Sequence, residues 1–93
     1  MRRLRIPKEV ALLLRGLHPA IKRKIRAALD QVLENAEAGK ALKDELSGLR
    51  SFRVGRLRMI YRQASRGVLE IVAVGPRSVI YEETLRLVRR ERP

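Results

Sequence analysis

The sequence predicts an α+β domain of two layers, in which an N-terminal strand and a helical hairpin pack on an antiparallel sheet and a short helix follows. The prediction depends on two changes of pattern. Apolar residues recur at helical spacing in the first third of the chain and with a period of two from residue 52. With 93 residues, we expect one domain spanning 1–93.

The first third of the chain predicts a strand followed by two helices. Residues 2–6 alternate basic and apolar side chains, as a short strand does. The apolar spacing that follows predicts a helix as far as Gly16, and Pro19 begins a second helix whose apolar stripe continues to Gly39. His18, between the helices, is expected to be a capping or surface residue. These residues therefore predict an antiparallel helical hairpin.

The middle of the chain predicts two strands joined by a tight turn. Residues 40–49 are expected to be turns or irregular chain. Gly55–Arg56 then suits a two-residue turn of type II′, which requires glycine at its first central position. In that register Arg53 lies directly opposite Arg58. Like charges in such a pair destabilise a sheet, so this face is expected to be hydrated or to bind an anion.

A third strand and a terminal helix complete the prediction. Residues 63–67 are expected to form a turn and residues 68–74 a strand, in a register that places Met59 opposite Ile71 and Leu57 opposite Ala73. Residues 78–81 are expected to be extended, and residues 82–90 a helix anchored only by Leu85 and Val88. The hairpin would then cover one face of the sheet and leave the other face rich in arginine.

The charge balance predicts a polyanionic partner. The chain has 22 basic and 10 acidic residues, a net charge of +12. No acid stands between Glu45 and Glu70, although six arginines do. Such a surface suits nucleic acid or an acidic protein. The alternative is that the arginine excess reflects genome composition or adaptation to heat.

Several classes of function are excluded or disfavoured by composition. The chain has no cysteine and one histidine, so thiol chemistry and a histidine-rich metal site are excluded. We expect no cofactor and no metal. No apolar run approaches the roughly 18 residues of a membrane span, and residues 1–10 do not resemble a secretory signal. We therefore expect a cytoplasmic protein without membrane contact.

Four side chains are predicted to converge on the arginine-rich face: Arg53, Arg58, Arg77 and Tyr81. Guanidinium groups bind phosphodiesters and stabilise the extra charge of a pentacoordinate transition state, but they do not exchange protons. Tyr81 could move a proton. The set therefore leaves open a metal-free ribonuclease in which the RNA 2′-hydroxyl is the nucleophile. The alternative is that these are solvated surface arginines, with Tyr81 in the core.

The second helix carries its charges against its macrodipole. Lys22, Arg23, Lys24 and Arg26 crowd its N-terminal half, whereas acids follow in its C-terminal half. A helix N-terminus is already positive, so this arrangement costs some tenths of a kcal/mol per charge, about 0.3 or more. One interpretation is that this end binds phosphate. The other is a solvated helix face that tolerates the cost.

Residues 46–90 resemble the RelE/ParE toxin superfamily of toxin–antitoxin modules. The matching motifs are a leucine and glycine, a basic strand, a glycine turn, arginine with tyrosine three residues later, Gly-x-Arg and a final Ile-Tyr. In this chain they are Leu46 to Gly48, Arg53, Gly55, Arg58 to Tyr61, Gly75 to Arg77 and Ile80-Tyr81. The resemblance implies a RelE-like fold and a ribosome-dependent endoribonuclease that cuts mRNA in the A site. It also implies a cognate antitoxin with an acidic or amphipathic segment.

The resemblance implies roles for particular residues. Arg58 and Arg77 would contact the scissile phosphate and its transition state, and Tyr81 would position the substrate or transfer a proton. Relatives often have two lysines on the strand before the turn, at positions that here hold Arg53 and Gly55. The residues expected to contact RNA or the ribosome are Lys22, Arg23, Arg26, Arg50, Arg56 and Arg62. Two other functions stay open: a ParE-type poison of DNA gyrase, and an RNA- or partner-binding module without catalysis.

Overall fold

The protein folds as one five-stranded sheet with helices on both faces. The structure is a computed structural model that describes residues 2–91. Its elements are β1 (Arg3–Arg5), α1 (Lys8–Arg15), α2 (Pro19–Glu34), β2 (Lys40–Ala41), a 3-10 helix (Asp44–Leu46), β3 (Leu49–Val54), β4 (Leu57–Ser65), β5 (Val68–Pro76) and α3 (Arg77–Glu91). The strand order is β1–β5–β4–β3–β2, and only β1 runs parallel to its neighbour. The predicted α+β class is confirmed.

The helical hairpin packs on the first face of the sheet, as predicted. The stripe of α2 buries Ile25, Ala28 and Val32 against a core that includes Met59 and Tyr61. Burial of an isoleucine or valine side chain contributes roughly 1.5–3 kcal/mol. Among residues 2–91, no helix is long and apolar enough to cross a membrane.

The ends of α2 follow local hydrogen bonding. His18 is its N-cap, because His18 Nδ1 accepts a hydrogen bond from the Ala20 N–H at 3.1 Å. The predicted capping role is thereby confirmed. The helix ends at Glu34 rather than near Gly39, since Asn35 takes an extended conformation with φ −139°.

Residues 40–49 are more ordered than predicted, because they form the edge strand β2 and the 3-10 helix. The Tyr61 hydroxyl anchors this region from the core. It accepts a hydrogen bond from the Gly39 N–H and donates one to the Ala36 carbonyl, both at 2.8 Å. A β-carbon at residue 39 would lie 2.7 Å from that hydroxyl, so the close approach requires glycine.

The predicted β3–β4 hairpin is confirmed in turn and register. Gly55 has φ +61° at the first central position of the turn, which is a conformation that glycine adopts without strain. Arg53 pairs with Arg58, and Phe52 pairs with Met59. The two arginines therefore lie side by side on the face of the sheet opposite the helical hairpin of α1 and α2.

The predicted register between β4 and β5 was wrong. The strands are joined by the two residues Arg66 and Gly67, not by five, and Met59 pairs with Val74 rather than with Ile71. The ladder is irregular between Ile60 and Tyr61 and again between Gln63 and Ser65. Irregularities of this kind move the following residues to other partners and faces.

Because of this shift, Ala73 does not pack beside Leu57 as predicted. Leu57 pairs with Pro76, and Ala73 joins Ile60 in a second core on the other face. The sequence pattern alone does not reveal a bulge inside an apolar run, since every residue from Leu69 to Gly75 except Glu70 is apolar or small.

Helix α3 covers the second face, which was predicted to be open. Residues 78–81 belong to this helix and are not extended. Ile80 and Thr84 are its fully buried residues, at 0% exposure, and Tyr81, Leu87 and Val88 are partly buried against the same core. Helix α3 therefore covers the middle of the second face, at Ile60 and Ala73.

Candidate nucleic-acid interface and catalytic site

Two arginines form the centre of the site at the turn end of the sheet. Arg53 is exposed, Arg58 is half-buried, and the two lie directly opposite each other on β3 and β4. Side chains in such a pair have Cβ atoms roughly 4.5–5.5 Å apart. Arg53 Nε donates a hydrogen bond to the Gly55 carbonyl at 3.2 Å, so its guanidinium folds back over the turn.

The start of α3 brings the other two predicted residues to the same end. Arg58 pairs with Gly75 on β5, and Arg77 follows Gly75 by two residues. Tyr81 stands four residues after Arg77 and therefore on the same side of the helix. The Tyr81 hydroxyl lies 3.1 Å from the Ser51 hydroxyl, close enough for a hydrogen bond.

Ser51 is a site residue that the sequence did not single out. It is buried on β3, at 3% exposure, two positions before Arg53 and so on the same face. Its hydrogen bond fixes the Tyr81 ring beside the arginine row. The sequence did place Ser51 on the same face as the arginines. It did not indicate that α3 would cross that face and bring Tyr81 beside Ser51.

The cluster of Arg53, Arg58 and Arg77 carries uncompensated positive charge. Within residues 2–91, none of the three forms an ion pair with a carboxylate. Helix α3 adds the positive end of its dipole, and its first turn contains no acid. Such an arrangement binds an anion and stabilises negative charge that develops on it. Tyr81, beside the cluster, has a hydroxyl that can exchange a proton.

Arg62 is in a different situation from these arginines. Its guanidinium binds Glu70 at 2.7 Å and Glu91 at 2.8 Å, and Glu70 also contacts Arg5 at 3.2 Å. The hydrogen bonds from Arg62 to Glu91, followed by those to Glu70, raise the pKa of Arg62 despite its partial burial. This arginine joins β4 and β5 to the end of α3.

Arg50 also has protein partners. It donates hydrogen bonds to the Gly39 carbonyl at 2.8 Å and to the Glu37 carbonyl at 3.3 Å, which tie β3 to the chain after α2. Arg56 is exposed in the turn next to the cluster. Of the predicted RNA-binding residues on the sheet, Arg56 is therefore the one whose side chain is free beside the cluster.

The basic residues of α2 do not all point the same way. Lys22 and Arg26 line a shallow groove with Leu14 and Arg15 of α1, away from the turn. Arg23 is exposed. Lys24, which was not among the predicted site residues, reaches Gly55 of the turn. The sequence feature that could have indicated this position is the spacing of Lys24 from Ile21 and Ile25, which places it at the border of the buried stripe of α2.

The described residues do not form a metal-binding site. Among residues 2–91, no group of three or more His, Cys, Asp or Glu side chains could hold a metal ion.

Comparison with known proteins identifies the family. Residues 5–81 match the family model described as the ParE toxin of the type II toxin–antitoxin system, parDE. No curated protein sequence matches the chain.

Solved structures share the fold. A mutant of the E. coli toxin RelE in the free state has a TM-score of 0.76 at 18% identity, over 98% of both chains. The archaeal RelE–RelB complex from Pyrococcus horikoshii OT3 matches at 28% identity with a TM-score of 0.64, over 82% of this chain and 94% of that one. The RelBE2 toxin–antitoxin complex of Mycobacterium tuberculosis matches at 28% identity and TM-score 0.62, over 82% and 98%. The chain thus belongs to the ParE toxin family within the RelE/ParE superfamily, and it is the toxin of a type II toxin–antitoxin system.

Proposed function

We propose that this toxin is an endoribonuclease that cuts mRNA in the A site of the ribosome and so stops translation in the cytoplasm. The observation that supports this most is the row of guanidinium groups at Arg53, Arg58 and Arg77, which have no carboxylate partner among residues 2–91. The Tyr81 hydroxyl is held beside this row, 3.1 Å from the Ser51 hydroxyl. RNA supplies both the anion that this row would bind and the nucleophile that the row lacks.

The proposed reaction is a transesterification within the RNA. The 2′-oxygen attacks the adjacent phosphorus as the bond to the 5′-oxygen of the next nucleotide breaks, and a 2′,3′-cyclic phosphate results. The 2′-hydroxyl loses its proton to solvent water, and the leaving 5′-oxygen takes a proton from an acid that solvent then reprotonates. Arg58 and Arg77 would hold the phosphate and neutralise the charge that grows in the transition state. Tyr81 would donate the proton to the leaving oxygen.

Dependence on the ribosome follows from how little of the substrate this site could hold alone. The cluster recognises phosphate, which carries no sequence information. The remaining basic surface, including Arg23 and Arg56, would bind ribosomal RNA and align the mRNA with the cluster. Alignment of a reacting geometry contributes roughly 7–11 kcal/mol in favourable cases.

The proposal is tested by mapping cuts on a defined mRNA with primer extension. Ribosomes paused on that mRNA are mixed with the toxin in a buffer that keeps the Mg²⁺ the ribosome needs, and naked mRNA serves as the control. A cut inside the A-site codon of the ribosome-bound mRNA alone is expected. Cutting of naked mRNA to the same extent would contradict ribosome dependence, and no cut in either sample would contradict the ribonuclease.

A second candidate is a ParE-type poison of DNA gyrase, and the family model that matches residues 5–81 favours it. The joint presence of Arg77 and Tyr81 favours the ribonuclease. A supercoiling assay separates them: the ribonuclease leaves gyrase activity unchanged at toxin concentrations that cut mRNA, whereas a poison inhibits supercoiling without any cut. Salt-dependent RNA binding with neither effect would indicate a binding module without catalysis.

We also propose that the toxin is neutralised by an antitoxin with an acidic or amphipathic segment. The net charge of +12 favours such a partner. The archaeal relative at 28% identity is described as a RelE–RelB complex. Co-expression with the gene that adjoins the toxin's own should restore growth, and purification of the toxin alone from those cells would contradict the proposal.

A further inference from the structure

Lys24 is a basic residue that the cluster of Arg53, Arg58 and Arg77 does not include. It lies on α2, on the hairpin side of the sheet, and its side chain extends to the β3–β4 turn. A β-carbon built on Gly55 would lie 3.9 Å from Lys24 Nζ and 4.0 Å from Lys24 Cδ. Within residues 2–91 nothing else outside the neighbouring chain lies within 4 Å of that point. The Lys24 ammonium therefore lies next to the point where a side chain at residue 55 would begin.

Helical geometry explains why this lysine, among the basic residues of α2, reaches the turn. Lys24 stands three residues after Ile21 and directly before the buried Ile25, so it borders the stripe that packs on the sheet. Lys22 and Arg26 lie on the side that faces α1. Lys24 is thus the cation that α2 directs along the sheet toward its turn end.

The turn is approached by cations from both sides. Arg53 Nε donates to the Gly55 carbonyl at 3.2 Å, from the α3 side of the sheet. Lys24 Nζ lies beside the same residue from the α2 side. The carbonyl oxygen and the β-carbon position of one residue are roughly 3 Å apart, so the two nitrogens lie within about 10 Å of each other. Arg56 stands exposed between them in the turn.

We propose that Lys24 forms a second phosphate subsite, on the α2 side of the β3–β4 turn, for the RNA phosphate next to the one held by the arginine cluster. This inference rests on the proposed ribonuclease. Gly55 leaves the subsite open because it has no side chain, and its φ of +61° disfavours other residues there. Lys24 acts by charge on a neighbouring phosphate, so it is a positioning residue and takes no part in the proton transfer.

The test measures how salt weakens RNA binding. A fluorescent single-stranded oligoribonucleotide with methylated 2′-hydroxyls, which the toxin cannot cut, is titrated with the toxin over a range of KCl concentrations. Each phosphate contact to a single strand contributes a slope of about −0.7 in log K against log salt. Lys24→Ala should therefore make the slope shallower by about 0.7 and weaken binding about two- to fivefold at low salt. Lys24→Arg should restore both.

Lys43→Ala is the matched control. The substitution removes the same positive charge as Lys24→Ala. Lys43 lies near Leu49, the first residue of β3, and therefore at the opposite end of the sheet from the β3–β4 turn. Its slope should stay within about 0.2 of the unmodified toxin's, well below the slope of a single phosphate contact. Both lysines are exposed, so thermal unfolding should be the same for all variants.

The possible outcomes separate this inference from the proposed function. Equal slopes for Lys24→Ala and Lys43→Ala, with tight salt-dependent binding by the unmodified toxin, would overturn the subsite and leave the ribonuclease standing. Failure of Lys24→Arg to restore the slope would also overturn it. An unmodified toxin that does not bind the oligonucleotide would overturn the subsite, whereas the ribonuclease is contradicted by the absence of a cut in the A-site assay.

Discussion

Two arginines on one strand differ in what surrounds them. Arg58 and Arg62 stand four residues apart on β4, and α3 crosses the same face of the sheet between them. Within residues 2–91 Arg58 has no carboxylate partner, whereas Arg62 binds Glu70 and Glu91 at 2.7 and 2.8 Å. Residue type and sequence position do not separate the two. The presence or absence of a carboxylate partner does, and on that ground we propose Arg58 as a residue of the site and Arg62 as a residue of the scaffold.

Helix α3 connects these two ends. Its first turn supplies Arg77 and Tyr81 to the cluster, and its last turn supplies Glu91 to Arg62. Fifteen residues of helix span about 22 Å. The ion pairs at one end thus fix the helix that positions the phenol at the other end.

The largest effect is expected from Arg58→Ala. It removes a charge that acts on the transition state, so cutting of A-site mRNA should fall at least about 100-fold. The unfolding free energy should change by less than about 0.5 kcal/mol, because no described side chain depends on this guanidinium. Arg66→Ala, an exposed arginine in the β4–β5 turn, is the control and should cut normally. Full activity of Arg58→Ala would mean that the site does not lie at the Arg58 end of β4.

Arg62→Ala should show the opposite pattern. It leaves Glu70, whose side chain is 8% exposed, with only the contact from Arg5. Breaking a fully buried pair costs roughly 3–5 kcal/mol. Arg62 retains 30% exposure, so we expect a loss of about 2 kcal/mol in urea unfolding. The folded protein should still cut mRNA. Unchanged stability beside a lost activity would place Arg62 in the site after all.

Tyr81→Phe sharpens the account of the site itself. The phenol would lose its transferable proton, and cutting should fall more than about tenfold, with a stability change near 1 kcal/mol for one hydrogen bond. Ser51→Ala removes the same 3.1 Å hydrogen bond but keeps the phenol. Its activity should fall less. Equal losses in the two variants would reduce Tyr81 to a positioning role.

The smallest expected effect is on the stability of the protein at acidic pH. The hydrogen bonds from Arg62 hold the pKa of Glu91 below its ordinary value. A lowered pKa in the folded state stabilises the protein above the ordinary carboxyl pKa, and this stabilisation is lost as the pH falls through the folded value. Between pH 6 and about 3, Glu91→Gln should therefore lose less stability than the unmodified protein. Parallel losses would mean that the pair is too exposed to matter.

The hairpin and the β3–β4 register were predictable because their signals are local. Helical spacing, Pro19, and Gly55 at a two-residue turn determine them, and so Arg53 opposite Arg58 followed directly. The β4–β5 register depends on bulges inside an apolar run, where period-two alternation carries no information. Local propensity misled at residues 78–81, since Val79, Ile80 and Tyr81 favour a strand.

Tertiary packing decides the rest of the site. Ile80, Thr84 and Leu87 form a stripe on one side of a helix. This stripe predicts a packed helix only if the second face of the sheet is known to be apolar, as it is at Ile60 and Ala73. The pairing of Arg62 was equally hidden, because Glu70 and Glu91 lie 8 and 29 residues away in the chain. The sequence predicted which residue types would gather, and the fold decides which of them stay unpaired.

The most direct test compares Arg58→Ala and Arg62→Ala in the A-site cutting assay at equal concentrations of folded protein. We predict that Arg58→Ala cuts at least about 100-fold more slowly than the unmodified toxin and that Arg62→Ala cuts within about twofold of it. Equal rates for the two variants, or a slower rate for Arg62→Ala, would contradict the assignment of the unpaired end of β4 to the site.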